Sequence, residues 1–379
     1  MHVLVSGAGI AGPALAYWLA RSGHEVTVVE RAPAPRKGGQ AVDLRGTARE
    51  AVERMGLLGG IRAASLGTTA YASVAADGTE LTRTPAAPDG QLAEIEILRG
   101  ELAELLRTAS LRAGDGSRVR YVFGDRITAL AQDPDGVDVT FAALPAARFD
   151  LVVGADGVRS GVRALLVGDG RRHVHPLGTT LAYWTAPDHL GLSDVAVEHT
   201  DGDREVGVRS IPGTGRCLVY LACRTAVPPD PGLTEGTPAE EADTDAMQQD
   251  VVRTLGAGMG WEVPRLLAGL DTADDLYLDV CSQVVLDRWS WGRTVLLGDA
   301  GYSPSPLSGQ GTSLALVAAY VLAAELARAD PTSAVQAYEQ RLRPWVERTQ
   351  RLVDDPTDLA EVANAFDLPD APPDHRLIP

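Results

Sequence analysis

Cysteine is scarce in this chain: three among 379 residues, Cys217, Cys223 and Cys281. They have no metal-ligand spacing and cannot all pair, which argues against a disulfide framework and fits a reducing compartment with the thiols in a core. Long apolar runs are missing too. Although 45% of the residues are hydrophobic, no run approaches the ~20 needed to cross a bilayer. The opening MHVLVSGAG has no basic stretch and no small-residue cleavage site, so no secretory leader is read and a cytoplasmic location is expected. Positive charge is in deficit, at −17 net. Nucleic-acid binding needs Lys and Arg gathered on one face, so the charge argues against that partner and is read as favouring solubility. No internal repeat, coiled coil or metal-ligand set is found. The length fits roughly two domains or one elaborated one, as a monomer or a homodimer.

What is present begins with glycine. HVLVS (2–6) reads as a short strand, GAGIAGPALAYWLARSG as a helix packed on a sheet, and HEVTVVE as a second strand ending at Glu30. Gly7, Gly9 and Gly12 fit G-x-G-x-x-G: one makes the tight turn, one admits a pyrophosphate to the backbone, and one lets the helix lie close to the strand. The helix start offers N–H groups and positive dipole to phosphates. Glu30 is placed to accept hydrogen bonds from an adenosine ribose, and an acid there disfavours a 2′-phosphate. The pattern leaves FAD and NAD both open.

Two further strand ends carry polar motifs. In FDLVVGADGVRSGVR (149–163) an apolar strand, Leu151 to Val153, ends in Gly-Ala-Asp-Gly. Asp-Gly is a common turn pair, yet Asp156, Arg159 and Arg163 stand where open α/β sheets bind ligands. Late in the chain RTVLLGD reads as a last strand, Thr294 to Leu297, with Asp299 at its end. Pro304 and Pro306 stiffen the following loop, and Gly309-Gln310-Gly311-Thr312 leads into a helix with unpaired N–H groups. The need to break a helix explains the prolines but neither the aspartate nor the Gly-Gln-Gly. The combination suits a flat, electron-accepting ligand whose edge becomes negative on reduction.

In order, GAGIAG, GADGVRS and GDAGYSPSPLSGQG resemble the motifs of the single-component FAD-dependent aromatic hydroxylases typified by p-hydroxybenzoate hydroxylase. Within that family the length, the segment GGQAVDLRGTAREAVERMGLL (38–58) and the short C-terminal region look most like tetracycline-inactivating monooxygenases and related antibiotic-tailoring enzymes. The resemblance implies an α/β fold. A Rossmann-like FAD-binding domain (1–67, 99–173, 287–330) would interleave with a mostly antiparallel β-sheet substrate domain (68–98, 174–286), followed by a C-terminal helix and tail (331–379). It implies that Gly7, Gly9, Ile10, Ala11 and Gly12 border the FAD pyrophosphate and that Glu30 and Arg31 hold the adenosine. Arg99, Asp156 and Asp299 would serve the ribityl and phosphate arm. The backbone of Gly309, Gln310, Gly311 and Thr312 would follow the N1/O2 edge of the ring. Arg45 and Gln40 would pass near the flavin, and Pro306 would present its backbone to the oxygen-reacting face. Arg159 would meet NADPH in a surface groove, since no second G-x-G-x-x-G exists.

The implied reaction is reduction of FAD by NAD(P)H, capture of O2 as the flavin C4a-hydroperoxide, and transfer of one oxygen atom to an aromatic or polycyclic small molecule. Epoxidation, Baeyer–Villiger insertion, a flavin dehydrogenase or reductase that does not use O2, and a sequestrant without turnover stay open. Where the family usually has Gly-Asp-Ala-Ala-His, this chain has Gly301 and Tyr302, which either tune the loop or pack.

TTAYASVAA (68–76), LAEIEIL (92–98), TTLAYWTAP (179–187), DREVGVRSIP (203–212), RCLVYLACRT (216–225) and LYLDVCSQVVL (276–286) alternate as strands. PPDPGLTEGTPAEEADTD (228–245) reads as an exposed loop. One sheet face should roof the flavin. Tyr183, Arg209 and Tyr220 are its candidate substrate contacts, aromatic walls and one cation for a phenolate or enolate, though each equally fits a packed strand residue. Trp289 and Trp291 pack near the sheet end; the halogenase Trp-x-Trp-x-Ile-Pro pattern is absent. Residues 332–353 form an amphipathic helix bent at Pro344, and the acidic, proline-rich tail from Asp354 is expected to be partly disordered.

Overall fold

The computed structural model describes residues 1–35, 38–86, 95–224 and 238–374. Along the chain β1 (His2–Ser6), α1 (Ala11–Arg21) and β2 (Glu25–Glu30) come first, then β3 (Ala41–Leu44), α2 (Thr47–Arg54) and α3 (Leu58–Ala63). β4 (Ala70–Val74), β5 (Glu80–Pro85) and β6 (Ile95–Leu98) lead into α4 (Arg99–Arg112) and β7 (Val119–Phe123). A small meander, β8 (Ile127–Gln132), β9 (Val137–Phe141) and β10 (Ala147–Phe149), precedes β11 (Leu151–Gly154) and α5 (Gly161–Val167). Next are β12 (Val174–Pro187), β13 (Val195–Asp201), β14 (Arg204–Ile211), β15 (Arg216–Arg224), α6 (Pro238–Gly256), α7 (Val263–Ala268) and β16 (Tyr277–Val284). The chain finishes with β17 (Ser290–Trp291), β18 (Thr294–Leu296), α8 (Asp299–Tyr302), α9 (Gly311–Leu326), α10 (Pro331–Arg351) and α11 (Leu359–Asn364).

Two sheets organise the molecule. The first has six strands in the order β17-β18-β11-β1-β2-β7, parallel except at the β17 edge. Val3, Leu4 and Val5 are fully buried, as in a sheet covered by helices on both faces. Because β18, β11 and β1 are parallel neighbours, their carboxyl ends emerge side by side. That register brings together three motifs that lie more than a hundred residues apart in the chain.

The second sheet has seven strands, β16-β12-β15-β14-β13-β4-β5, antiparallel except for the β13–β4 pair. Strand alternation divides it cleanly. Trp184, Val206, Val208, Val219, Leu221 and Leu278 form one apolar core with α6 and α7. On the other face Tyr183 and Leu218 pack toward Leu66 and Leu98.

Three expectations are corrected. β6 pairs with β3 in a two-stranded ribbon rather than joining the second sheet; its upstream residues 92–94 lie outside the described residues. Of the expected loop 228–245, residues 228–237 also lie outside them, and from Pro238 the chain is helix α6. The tail, expected to be partly disordered, is packed through residue 374 apart from its last five residues, which are not described. Trp345 lies 5.1 Å from Phe366 and donates its Nε1–H to the Val362 carbonyl at 2.7 Å, while Thr47 donates to the Phe366 carbonyl at 2.7 Å. A few large rings and paired backbone carbonyls order a segment whose composition suggests the reverse. α10 continues through Pro344. Among the described residues no helix is long and apolar enough to cross a membrane.

Candidate active site

Close backbone approaches build the first part of the site. Gly7 has φ +109°, and a Cβ there would stand 2.4 Å from the Ala155 carbonyl oxygen. A Cβ on Gly12 would stand 2.0 Å from the Gly7 oxygen, so only glycine lets α1 start this close to β1. α1 has no side-chain cap, and its first N–H groups remain available to an anion. Arg99 adds positive charge there: its Nη2 lies 3.0 Å from where a Gly9 Cβ would be. Glu30, at the end of β2, accepts from Ala8 N at 2.8 Å and Ala32 N at 2.9 Å. Each carboxylate oxygen keeps a lone pair for another donor. Arg31 follows it, exposed.

The loop after β18 forms the second part. Asp299 lies beside the start of α9, its Oδ1 3.9 Å from a Cβ placed on Gly311. Burial raises its pKa, opposed by a Ser303 hydrogen bond and the Arg99 charge. α9 again lacks a side-chain cap. Gly309 is left-handed at φ +63° and faces Arg45, whose Nε is 3.8 Å from the Gly309 Cβ position. Arg45, 3% exposed, also bonds Asp43 at 2.7 Å, and Ser313 pairs with its backbone. Gln310 is fully buried, and neither atom of its side-chain amide has a hydrogen-bond partner among the described residues. Pro306 is exposed on the short turn between Ser305 and Gly309, and Thr312 is half-buried.

The mid-chain motif ties these loops together. Asp156 accepts from the Ser160 hydroxyl at 2.5 Å and Val162 N at 3.1 Å, so both its oxygens serve its own turn, and its Cα lies 3.0 Å from a Gly7 Cβ position. Arg163 is buried and donates to the Ala300 carbonyl at 2.9 Å, joining this turn to the Asp299 loop. Arg159 is 41% exposed and bonds Asp279 of β16 at 2.7 Å, linking the turn after β11 to the second sheet.

Across from these loops stands a wall of tyrosines. Tyr220, Tyr183 and Tyr277 are consecutive cross-strand partners on β15, β12 and β16, with ring centroids 6.1 and 6.5 Å apart. Tyr220 lies flat over Gly207, where a Cβ would stand 2.0 Å from its ring. Its hydroxyl contacts Glu198 at 2.8 Å and Glu205 at 2.5 Å. Arg209 sits between Tyr71 and Tyr220, 5.5 and 5.9 Å from their rings, and ion-pairs with Glu96; both charged residues are 8% exposed. The wall feels charges from outside its sheet: after burial, Asp43 is among those acting on both Tyr71 and Tyr183, and Arg99 among those acting on Tyr277.

A family model described as an FAD binding domain matches residues 1–352. The chain belongs to this FAD-binding monooxygenase family. A flavin-dependent monooxygenase of Legionella longbeachae is 33% identical over 357 residues, covering 93% of this chain and 87% of that one. An uncharacterised Mycobacterium tuberculosis protein is 41% identical, covering 93% and 92%. Among solved structures, tetracycline destructase Tet(55) superimposes with TM-score 0.84 at 31% identity, covering 97% and 98%. Klebsiella pneumoniae HpxO complexed with FAD and uric acid, at 24% identity and TM-score 0.71, shares the fold.

The monooxygenase's own residues fit FAD. The half-buried backbone of Gly309, Gly311 and Thr312, beside the uncapped start of α9, would suit the C=O and N–H groups of a flavin ring edge, whereas the Gln310 side chain is closed off by the protein itself. Gly7, Gly9 and Gly12 with Arg99 suit the pyrophosphate, and Asp299 the polyol arm. Tyr302 settles the open question about its position. It is 1% exposed, packs 4.3 Å from the Trp289 ring and hydrogen-bonds Tyr338, so it belongs to the core. The candidates Tyr183, Arg209 and Tyr220 do share one face, but Arg209 is neutralised by Glu96 and offers no unpaired cation. Sequence reasoning missed Tyr71, Glu96, Glu198, Glu205, Tyr277 and Asp279. One of them, Glu205, was open to a parity argument from Arg209, four residues on in the same strand; the others depend on strand pairing.

Proposed function

We propose that this monooxygenase uses NAD(P)H and O2 to hydroxylate an aromatic or polycyclic small molecule held between the Gly309–Thr312 loop and the tyrosine wall. The observation that carries this reading is the wall itself: four tyrosines on one sheet face, positioned by strand register and opposed to the loop that fits a flavin ring. Bound FAD supplies two-electron transfer from NAD(P)H and delivery of one oxygen atom from O2. The chain binds, orients and shields. Gly7 to Gly12 and Asp299 hold the cofactor's arm. Tyr71, Tyr183, Tyr220 and Tyr277 offer ring faces and edges to a flat substrate and exclude water. Arg159, exposed and paired among the described residues with Asp279 of the second sheet, suits the phosphates of NAD(P)H. Kinship with tetracycline destructases favours a polycyclic substrate of antibiotic type, and the buried free cysteines favour a cytoplasmic setting.

The test uses the purified yellow protein with NADH or NADPH, 18O2 and a panel of polycyclic phenols that includes a tetracycline. The expected product carries one labelled oxygen, and its structure separates hydroxylation from epoxidation and Baeyer–Villiger insertion. A substrate oxidised without label would point instead to a dehydrogenase.

A further inference from the structure

The loop that fits the flavin contains a backbone outlier. Among the described residues only Trp261 and Ser305 have positive φ without being glycine. Ser305 lies at φ +75°, ψ +149°, in a region almost reserved for glycine, where a side chain strains the backbone. The chain has 40 glycines, yet a serine occupies this position between two prolines. It is 1% exposed. Such strain persists only where the surroundings over-determine it, and here they do. The Ser305 carbonyl accepts from Ser308 N at 3.2 Å and the Ser308 hydroxyl at 2.8 Å. The Cys281 side chain lies against Ser305. Gln283 donates to the Pro304 carbonyl at 3.4 Å and to the Gln350 carbonyl at 2.7 Å, while Val284 N donates to the Ser303 carbonyl at 3.0 Å.

The braces share an origin. Tyr277, Asp279, Cys281 and Gln283 are alternate residues of β16: the first belongs to the tyrosine wall, the second holds Arg159, and the last two hold the strained loop.

We propose that Ser305 is a positioning residue for the oxygen-reacting side of the flavin, its strained and braced backbone locking the Pro306 turn in one position against the ring. This rests on the monooxygenase reading given above. In coupled turnover, substrate, NAD(P)H, a proton and O2 give hydroxylated product, NAD(P)+ and water. If the turn moves, the same two electrons and O2 leave as hydrogen peroxide and the substrate is unchanged. A serine here excludes conformations that a glycine would allow, so the braced turn has fewer alternatives to move to and turnover stays coupled.

The experiment compares wild type, Ser305→Gly and Ser305→Ala by four readings: Tm of the apoprotein, FAD Kd, the sharpness of the bound-flavin absorbance bands, and hydrogen peroxide formed per NAD(P)H oxidised. Ser305→Gly is expected to leave the apoprotein Tm unchanged or up to about 2 °C higher, since strain relief offsets the added chain entropy. FAD Kd should change less than about threefold, the flavin bands should blur, and peroxide per NAD(P)H should rise about fivefold or more. Ser305→Ala keeps the strained backbone and should stay within about twofold of wild type. Equal coupling and equal bands in Ser305→Gly overturn the proposal. So does a lowered apoprotein Tm in that variant, or uncoupling in Ser305→Ala as large as in Ser305→Gly. Failure of the monooxygenase reading is separate: the wild type would then put no label from 18O2 into product.

Discussion

The loops that fit the flavin and the tyrosine wall opposite them belong to one site but are specified in different ways. In the loops, the constraint lies in the backbone: Gly7, Gly12 and Gly309 sit where a single added carbon meets a carbonyl or forces a left-handed residue. In the wall, the constraint lies in which polar groups answer which. Arg209 needs Glu96, and the Tyr220 hydroxyl has two carboxylates within reach. A backbone fit has no tolerance for added atoms, whereas a side-chain network tolerates an exchange that removes both members of a pair. Lesions in the two regions should therefore differ in kind.

The largest effect is expected at Gly12. Gly12→Ala puts a methyl 2.0 Å from the Gly7 oxygen, so the purified protein should be colourless and its FAD Kd, measured by flavin fluorescence, roughly 1000-fold weaker or worse. Full flavin retention would mean that α1 can shift. Arg209→Ala tests the wall: it leaves Glu96 buried without its cation and should cost about 3 kcal/mol in denaturant unfolding. The double change Arg209→Met with Glu96→Leu should recover most of that, and a double mutant as unstable as the single would place the loss in packing. Asp299→Ala removes a side chain from the loops without a backbone clash, and a weakening of about 30-fold in FAD Kd is expected. The smallest effect concerns Glu198, whose pKa burial raises, with the Tyr220 hydrogen bond opposing. The folded carboxyl keeps its proton to higher pH than the unfolded one. Its contribution is thus full below the unfolded value of about 4.3 and is lost as pH rises through the folded value. Glu198→Gln should match wild type in Tm near pH 4 and exceed it by about 1 °C at pH 8. An advantage that does not change with pH would sink that account.

This difference also decided what could be read from the residues alone. Turn glycines and strand ends are local, so GAGIAG, GADGVRS and the loop from Asp299 to Thr312 were legible as turns at strand ends, and the parallel order of β18, β11 and β1 then assembled them. Tyr183 and Tyr220 could be placed within strands by alternation, and the β12–β15 register then put them on one face. Glu96 could not, because it lies on β6, which pairs with β3 in the other domain, and its contact with Arg209 spans more than a hundred residues. Gly207 carried a readable sign, a glycine inside a strand where a neighbouring ring lies flat. The tail was misleading for another reason: its Asp and Pro content suggests disorder, while its order comes from Phe366, Val362 and carbonyls that only a folded partner can use.

That tail touches the site in one respect. Gly46, next to Arg45, approaches Ala363 so closely that a Cβ would stand 1.9 Å from the Ala363 carbonyl, and Arg54 and Tyr320 both donate to the Pro369 carbonyl. The turn carrying Arg45 is therefore completed by residues made more than 300 positions later. On the ribosome, where N-terminal segments emerge first, the GAGIAG turn can form long before the Arg45 turn has its final support. A fusion or truncation near residue 363 is therefore expected to weaken the Arg45 turn from the far end of the chain, which flavin retention would read out.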